Sequence, residues 1–380
     1  MAAQLKGFYN RALVERLAGD LARVDASFPV GAFVRQATRG LEALELLDRA
    51  RHIARALGEH LPGEYPTALG VLLASLGPEL ASDELLGVGM APFFYLPHLT
   101  FIAERGLEHF ELSLRAQYEL TKRFSAEGSI RAYLLRDPER TIAWLEGCAR
   151  DPNAHVRRLA SEGTRLRLPW APRVPWLDAN PTRVLALLEV LKDDPTTLVR
   201  RSVANNLNDL GKVHPALLFR TCEAWLEGAS EARRALVWHA LRSAVKRSEA
   251  GALKLLGYGE APAVVVLAPR FEPRRAPLGG FVSVFFTLKN TSRRTQTLLV
   301  DLVVHFVKAR GHTAPRVFKL RRVILSAGGA VKLQHRTSLE ALSTRKHYPG
   351  THPVSVAING VAFPIGSFVV TEPSAARGPR

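Results

Sequence analysis

The segment "DPNAHVRRLASEG", beginning at Asp151, returns at Asp194 as "DPTTLVRRSVANN", with Asp-Pro and Val-Arg-Arg kept in register 43 residues apart. A period of that length belongs to helical repeats of the HEAT and armadillo kind. One such repeat cannot bury its own apolar face. Stacking neighbours supplies the missing core and bends the array into a solenoid, whose concave surface is lined by equivalent helices. In each copy the Asp is placed to cap a helix, and the Pro to occupy its first position, where the missing N–H costs nothing.

Up to about residue 257 the chain keeps this helical character. "ALELLDRARHIARALGEHL" and "LEHFELSLRAQYELTKRFSAEG" set apolar residues at i, i+3, i+4 and i+7, with Pro or Gly between segments. After "LLGYGEAPA" the period switches to two. "APAVVVLAP", "FVSVFFTLKN", "QTLLVDLVVHFVK", "RVFKLRRVIL", "AVKLQHRTSL", "HPVSVAING" and "VAFPIGSFVV" read as about seven strands. Asn359-Gly360 is a two-residue hairpin signal between the last two. The expected fold class is a multidomain α + β chain. An all-α HEAT-like repeat solenoid over residues 1–257 precedes an immunoglobulin-like β-sandwich over 258–372, without the Cys pair of antibody domains, and a frayed tail follows at 373–380.

Several chemistries drop out. Cys148 and Cys222 are the only cysteines, both in helical segments, so neither a disulfide framework nor a cysteine zinc site can be built, and buried apolar thiols are expected. The twelve histidines are scattered without an HExxH pair, so no metal is expected. No Walker loop or strand-linked GxGxxG occurs. "SAVK" at Ser243–Lys246 has the S-x-x-K string but no companion motif, and "NTS" at Asn290 matters only in a secreted chain. No 18-residue apolar run is present and the N-terminus lacks a signal-peptide core, so the expectation is a cytoplasmic monomer with no membrane partner.

The net charge of +17 is unevenly spread. Residues 259–380 hold 18 Lys and Arg against 5 Asp and Glu, whereas residues 1–258 hold 34 against 30. A field this positive favours a polyanion, nucleic acid foremost, with an acidic protein or anionic lipid as alternatives.

The repeat places charged residues beside its apolar ones. Val156, Leu159, Ala160, Gly163 and Leu166 recur at helical spacing, and Arg158, Glu162 and Arg165 form another stripe. At the repeat offset Arg158 meets Arg201 and Glu162 meets Asn205, with Asp209 one turn further. Helices packed roughly 8 to 10 Å apart would bring both stripes to one groove. Upstream, Glu127 in "RFSAEGSIRAYLL" reads as a third helical carboxylate. Trp170, restrained by Pro169 and Pro172, follows the Glu162 helix. A fixed aromatic beside acids suits a cationic ring. Trp144, Trp225 and Trp238 fall on apolar helix faces and are assigned to the core.

The combination of "RFSAEGSIRAYL", "HVRRLASEGTRLRLPW", "VRRSVANNLND" and "YPGTHPVSVAINGV" resembles the AlkC-type DNA alkylation repair proteins, HEAT-like-repeat DNA glycosylases that carry an immunoglobulin-like domain. The likeness runs over nearly the whole chain, and the stretch from HVRR to PW is its most specific part. Gly128, after Glu127, departs from it where a larger apolar residue is expected. The resemblance implies excision of 3-methyladenine and 3-methylcytosine from double-stranded DNA without a metal or organic cofactor. It also implies a bent duplex and no enclosed, flipped base.

An N3-alkylated base is already cationic and leaves as a neutral group, so the charge that needs stabilising develops on the deoxyribose. Under the resemblance Glu162 supplies the negative charge, Glu127 and Asp209 share it, and Trp170 meets the lesion through its ring face. Arg158, Arg165 and Arg201 then hold phosphates. In the sandwich, alternating strands would carry Arg274 and Arg275, Lys308, Arg310 and Arg316, and Arg345 and Lys346 to one end that faces DNA, with Arg293 and Arg294 at the other. The competing reading is a HEAT-repeat protein that binds bent or damaged nucleic acid without cutting it, with Glu162 merely in a helix salt bridge to Arg158.

Overall fold

A computed structural model describes residues 5–80, 89–258, 261–341 and 346–372. The chain divides into two compact units, residues 1–240 and 241–380. Among the described residues, helices run from α1 (Arg11–Ala22) to α15 (Ala250–Leu255), and eight strands follow from Val264 onward. No helix among the described residues is long and apolar enough to cross a membrane.

The first unit is a stack of helices. Those around the repeat are α7 (Ile130–Arg136), α8 (Pro138–Cys148), α9 (Ala154–Glu162), α11 (Pro181–Leu191) and α12 (Thr197–Leu210). Helix α9 lies against its equivalent α12 in the next repeat and against both α8 and α11. Val156, Leu159, Ala160 and Leu166 are fully buried, as their spacing requires. Gly163 ends α9 where a Cβ would stand 2.8 Å from Ile130 Cγ2, so glycine permits the close approach to α7. Cys148 and Cys222 are buried thiols, and burial pushes both up to about 12.

The Asp-Pro pairs do not cap helices. Asn153 caps α9, accepting from His155 and Val156 N–H, and Thr196 precedes α12 without a side-chain cap. Asp151 and Asp194 instead accept N–H two residues on, at 2.7 and 2.8 Å, closing a turn before each helix. The first Arg of each Val-Arg-Arg completes that turn. Arg157 donates to the carbonyls of Asp151 and Pro152, and Arg200 to those of Asp194 and Pro195. Arg157 also pairs with Asp194 at 2.6 Å, which ties one repeat to the next. Trp225 is core, but Trp144 is half-buried and Trp238 is 39% exposed, contrary to expectation, since an apolar position in a helix does not by itself enclose a ring as large as indole.

The second unit is a sandwich with one more strand than expected. Strands β1 (Val264–Glu272), β3 (Phe281–Asn290) and β6 (Ala330–Ser338) form one sheet in the order β1-β3-β6. Strands β2 (Arg275–Pro277), β4 (Gln296–Val307), β5 (Thr313–Leu325), β7 (Gly350–Ile358) and β8 (Val361–Thr371) form the other, in the order β2-β8-β7-β4-β5. The addition is the short β2, parallel to the end of β8. Alternate residues such as Val282, Val284, Phe286, Leu302, Val304, Val356 and Phe368 meet between the sheets. Asn359 and Gly360 turn β7 into β8 with φ of 49° and 81°, both in the left-handed region this hairpin turn requires.

Candidate active site

A groove of about 420 Å³ opens in the helical unit between the repeat and the helices before it. One wall is apolar, with Leu47, Phe93, Leu96 and Phe124; the other presents Glu127, Arg158, Glu162, Arg201 and Ser202, and Trp170 stands at its edge. The spacing in the sequence thus brings four of the singled-out charged residues and the indole to one place.

From the groove wall inward the charges alternate in sign. Glu127 pairs with Arg158 at 2.8 Å, Arg158 approaches Glu162 at 3.9 Å, Glu162 pairs with Arg165 at 2.6 Å, and Arg165 pairs with Asp209 at 2.8 Å. Lys212 closes the row on Asp209 at 2.7 Å. Two hydroxyls complete it. Ser202 donates to Glu162 Oε2 at 2.5 Å, and Ser125 donates to Glu127 while accepting from Arg158.

Glu162 is 5% exposed, at the last turn of α9. Burial by itself raises the pKa of its carboxyl, but the guanidinium groups of Arg158 and Arg165 and the Ser202 hydroxyl outweigh burial and hold it below the usual carboxylate range. The carboxylate is therefore both charged and fixed in direction. Burial likewise works against the charge on Arg158 and Arg165, while Glu127 with Glu162, and Glu162 with Asp209, raise their pKa values on balance.

Four expectations change. Glu127 is not helical: it sits in the turn before α7, on the groove wall. Asp209 is 1% exposed and does not line the groove, because Arg165 lies between it and Glu162. Arg158 and Arg165 are not free phosphate contacts, since carboxylates occupy their guanidinium groups; only Arg201 of the three is exposed and carries no ion pair among the described residues. Arg316 is inside β5 opposite Val304, its guanidinium 4.9 Å from the Phe318 ring, not in a loop. Ser125 and Ser202 were not foreseen. Ser202 follows directly on Arg201, and its position one turn before Asn205 was the available signal.

In the sandwich the remaining basic residues do share an end. Val304 lies opposite Val354, Gly350 opposite Val370 and Arg275 opposite Val369, which brings the β4–β5 turn with Lys308 and Arg310, the β6–β7 connection with Lys346, and Arg274 and Arg275 together. Leu278 and Gly279 bond to Thr371 and Leu339, tying both sheets at that end. Arg293 and Arg294, after β3, are at the other. Arg345 lies outside the described residues. Among the described residues no group of three or more His, Cys, Asp or Glu is placed to hold a metal ion.

Three comparisons bear on this geometry. A family profile described as "Uncharacterised protein YhaZ, C-terminal Ig-like domain" matches residues 265–372. "Uncharacterized protein YhaZ" of Bacillus subtilis (strain 168) is 34% identical over 361 residues, spanning 94% of this chain and 97% of its own. Among solved structures, the Pseudomonas fluorescens alkylpurine DNA glycosylase AlkC, bound to DNA containing an abasic site analog, superposes with a TM-score of 0.89 at 34% identity, over 97% of this chain and 99% of that one. The chain belongs to the AlkC-type family.

Proposed function

We propose that this protein is a monofunctional DNA glycosylase of alkylation repair, acting as a monomer on double-stranded DNA. It hydrolyses the N-glycosidic bond of cationic bases, 3-methyladenine and 3-methylcytosine, without enclosing a flipped base and without a metal or organic cofactor. The observation that carries this reading is Glu162: a buried carboxylate, held ionised by two guanidinium groups and a hydroxyl, beside an exposed indole in an open groove.

The chemistry asks for little more. The cationic base departs with the electrons of the C1′–N bond and becomes neutral, so no proton need be given to it. Positive charge gathers on the sugar as an oxocarbenium ion. A carboxylate already fixed and half-dehydrated stabilises that charge without reorganising, as the carboxylates of glycoside hydrolases do. Water adds to C1′ and releases its proton, leaving an abasic site. Glu127, which lines the same groove, orients that water in this reading. The Trp170 ring face contributes roughly 0.5 to 2 kcal/mol toward a cationic base and less toward a neutral one. Arg201 and the basic end of the sandwich hold the duplex through its phosphates, and Asp209 acts only by orienting Arg165.

The oxygens of Glu162 already have protein partners, the observation that favours the binding-only reading. Incubating the protein with duplex DNA methylated at N3 and measuring free base together with abasic sites separates the two. Released 3-methyladenine and 3-methylcytosine in step with abasic sites support the glycosylase; tight binding with no released base supports the alternative.

A further inference from the structure

We infer that Arg131 is a positioning residue, a buried guanidinium that fixes the backbone on both sides of Trp170 and so sets where the indole stands over the groove. This rests on the reading of that groove as the seat of base excision. Arg131 projects from α7 and is 1% exposed. Its Nη1 donates to the carbonyls of Gly163 at 3.0 Å and Arg165 at 2.9 Å, and its Nε donates to the carbonyl of Pro172 at 2.6 Å. The first two acceptors follow α9 directly and the third lies beyond the indole, so one side chain holds both ends of the segment that carries Trp170.

That segment needs holding. Trp170 has φ of 62°, a left-handed conformation unfavourable for a bulky residue, which persists only where the surroundings over-determine it. Packing does not supply the constraint, because the indole is 68% exposed. Among the described residues no carboxylate forms an ion pair with Arg131, so its direct partners are carbonyls, and the more distant Asp178 carboxylate offsets only part of the burial of its charge. The planar guanidinium is what spans the separate carbonyls. A lysine ammonium, a single point of donors, cannot reach both ends. Arg131 also holds the backbone of Arg165, whose side chain bonds Glu162, so the indole and the carboxylate share one anchor.

The test is a double-mutant cycle. Single-turnover base release is measured for wild type, Arg131→Lys, Trp170→Ala and the double variant, with melting curves alongside. Arg131→Lys is expected to slow release roughly tenfold in the wild-type background and by only about twofold to threefold when Trp170 is absent, the remainder being what the Arg165 backbone passes on to Glu162. Losses that multiply, or that follow melting temperature alone, would overturn the proposal. Should Arg131→Lys not fold, Pro172→Gly loosens the same end of the segment with Arg131 intact, and the same non-additivity is expected. A readout independent of catalysis is the fluorescence anisotropy of Trp170, obtained as wild type minus Trp170→Ala. It falls in Arg131→Lys if the clamp is real and stays constant if it is not. Lower anisotropy with no base release by wild type would keep the clamp and reject the glycosylase.

Discussion

A carboxylate keeps its charge in a half-enclosed groove only where donors surround it, and Glu162 has Arg165, Ser202 and, further off, Arg158. Its pKa is depressed, so the ionised form persists through the neutral range and is lost only as pH falls through that lowered value. Base release is therefore expected to stay level from pH 8 to about 5.5, above the ordinary glutamate range near 4.3. A descending limb centred between pH 6 and 7 in the single-turnover rate would mean a proton-donating acid in place of a fixed anion. Asp209 behaves differently from a groove residue. Asp209→Asn leaves Arg165 with one carboxylate, and the expected loss in rate, roughly tenfold or less, is smaller than for Glu162, which touches the groove. That Trp170 and Glu162 share a groove was legible because helical spacing and the Pro-Trp break place them; that Asp209 sits behind Arg165 and Glu127 in a turn was not. The pairing of the arginines was not, since spacing alone cannot say whether a guanidinium meets phosphate or a carboxylate from the next helix.

Helices α9 and α12 owe their register to contacts that fall outside the apolar stripe. Asn206 donates to the Ser161 carbonyl at 2.7 Å and to Thr164 at 3.0 Å, and Ser202 reaches Ser161 at 3.0 Å, so a buried polar seam joins the two helices beside Glu162. Periodicity showed the helices and the 43-residue offset. It could not show this seam, because Ser, Thr and Asn read as surface residues in a helix. Two substitutions test the packing. Gly163→Ala drives a methyl into Ile130 and is expected to cost about 1 to 3 kcal/mol, read as a lower melting temperature. Asp194→Ala removes the buried acid that ties Arg157 to the following turn, with an expected cost of about 3 kcal/mol by chemical denaturation. Stability unchanged in either variant would show that the repeat does not depend on that interaction.

Charge and fold class were readable across the whole chain, because period three-to-four gives way to period two and basic residues gather in the strand half. Where the second compact unit begins was not. It takes in α15, whose Leu253 packs against the Asn359-Gly360 turn, a neighbour no periodicity announces. The shared end of the sandwich predicts a salt effect. Neutralising Arg274, Lys308, Arg310 and Lys346 together should flatten the plot of log affinity against log salt, by up to about 0.9 for each phosphate that the protein no longer neutralises. An unchanged slope would assign those residues to solubility alone. The measurement that decides most is the single-turnover release of 3-methyladenine by Glu162→Gln, a change that keeps shape and hydrogen bonding while removing the charge. A loss of about 10²- to 10³-fold, with affinity for DNA carrying an abasic-site analogue retained, is the predicted result. Release at the wild-type rate would contradict it.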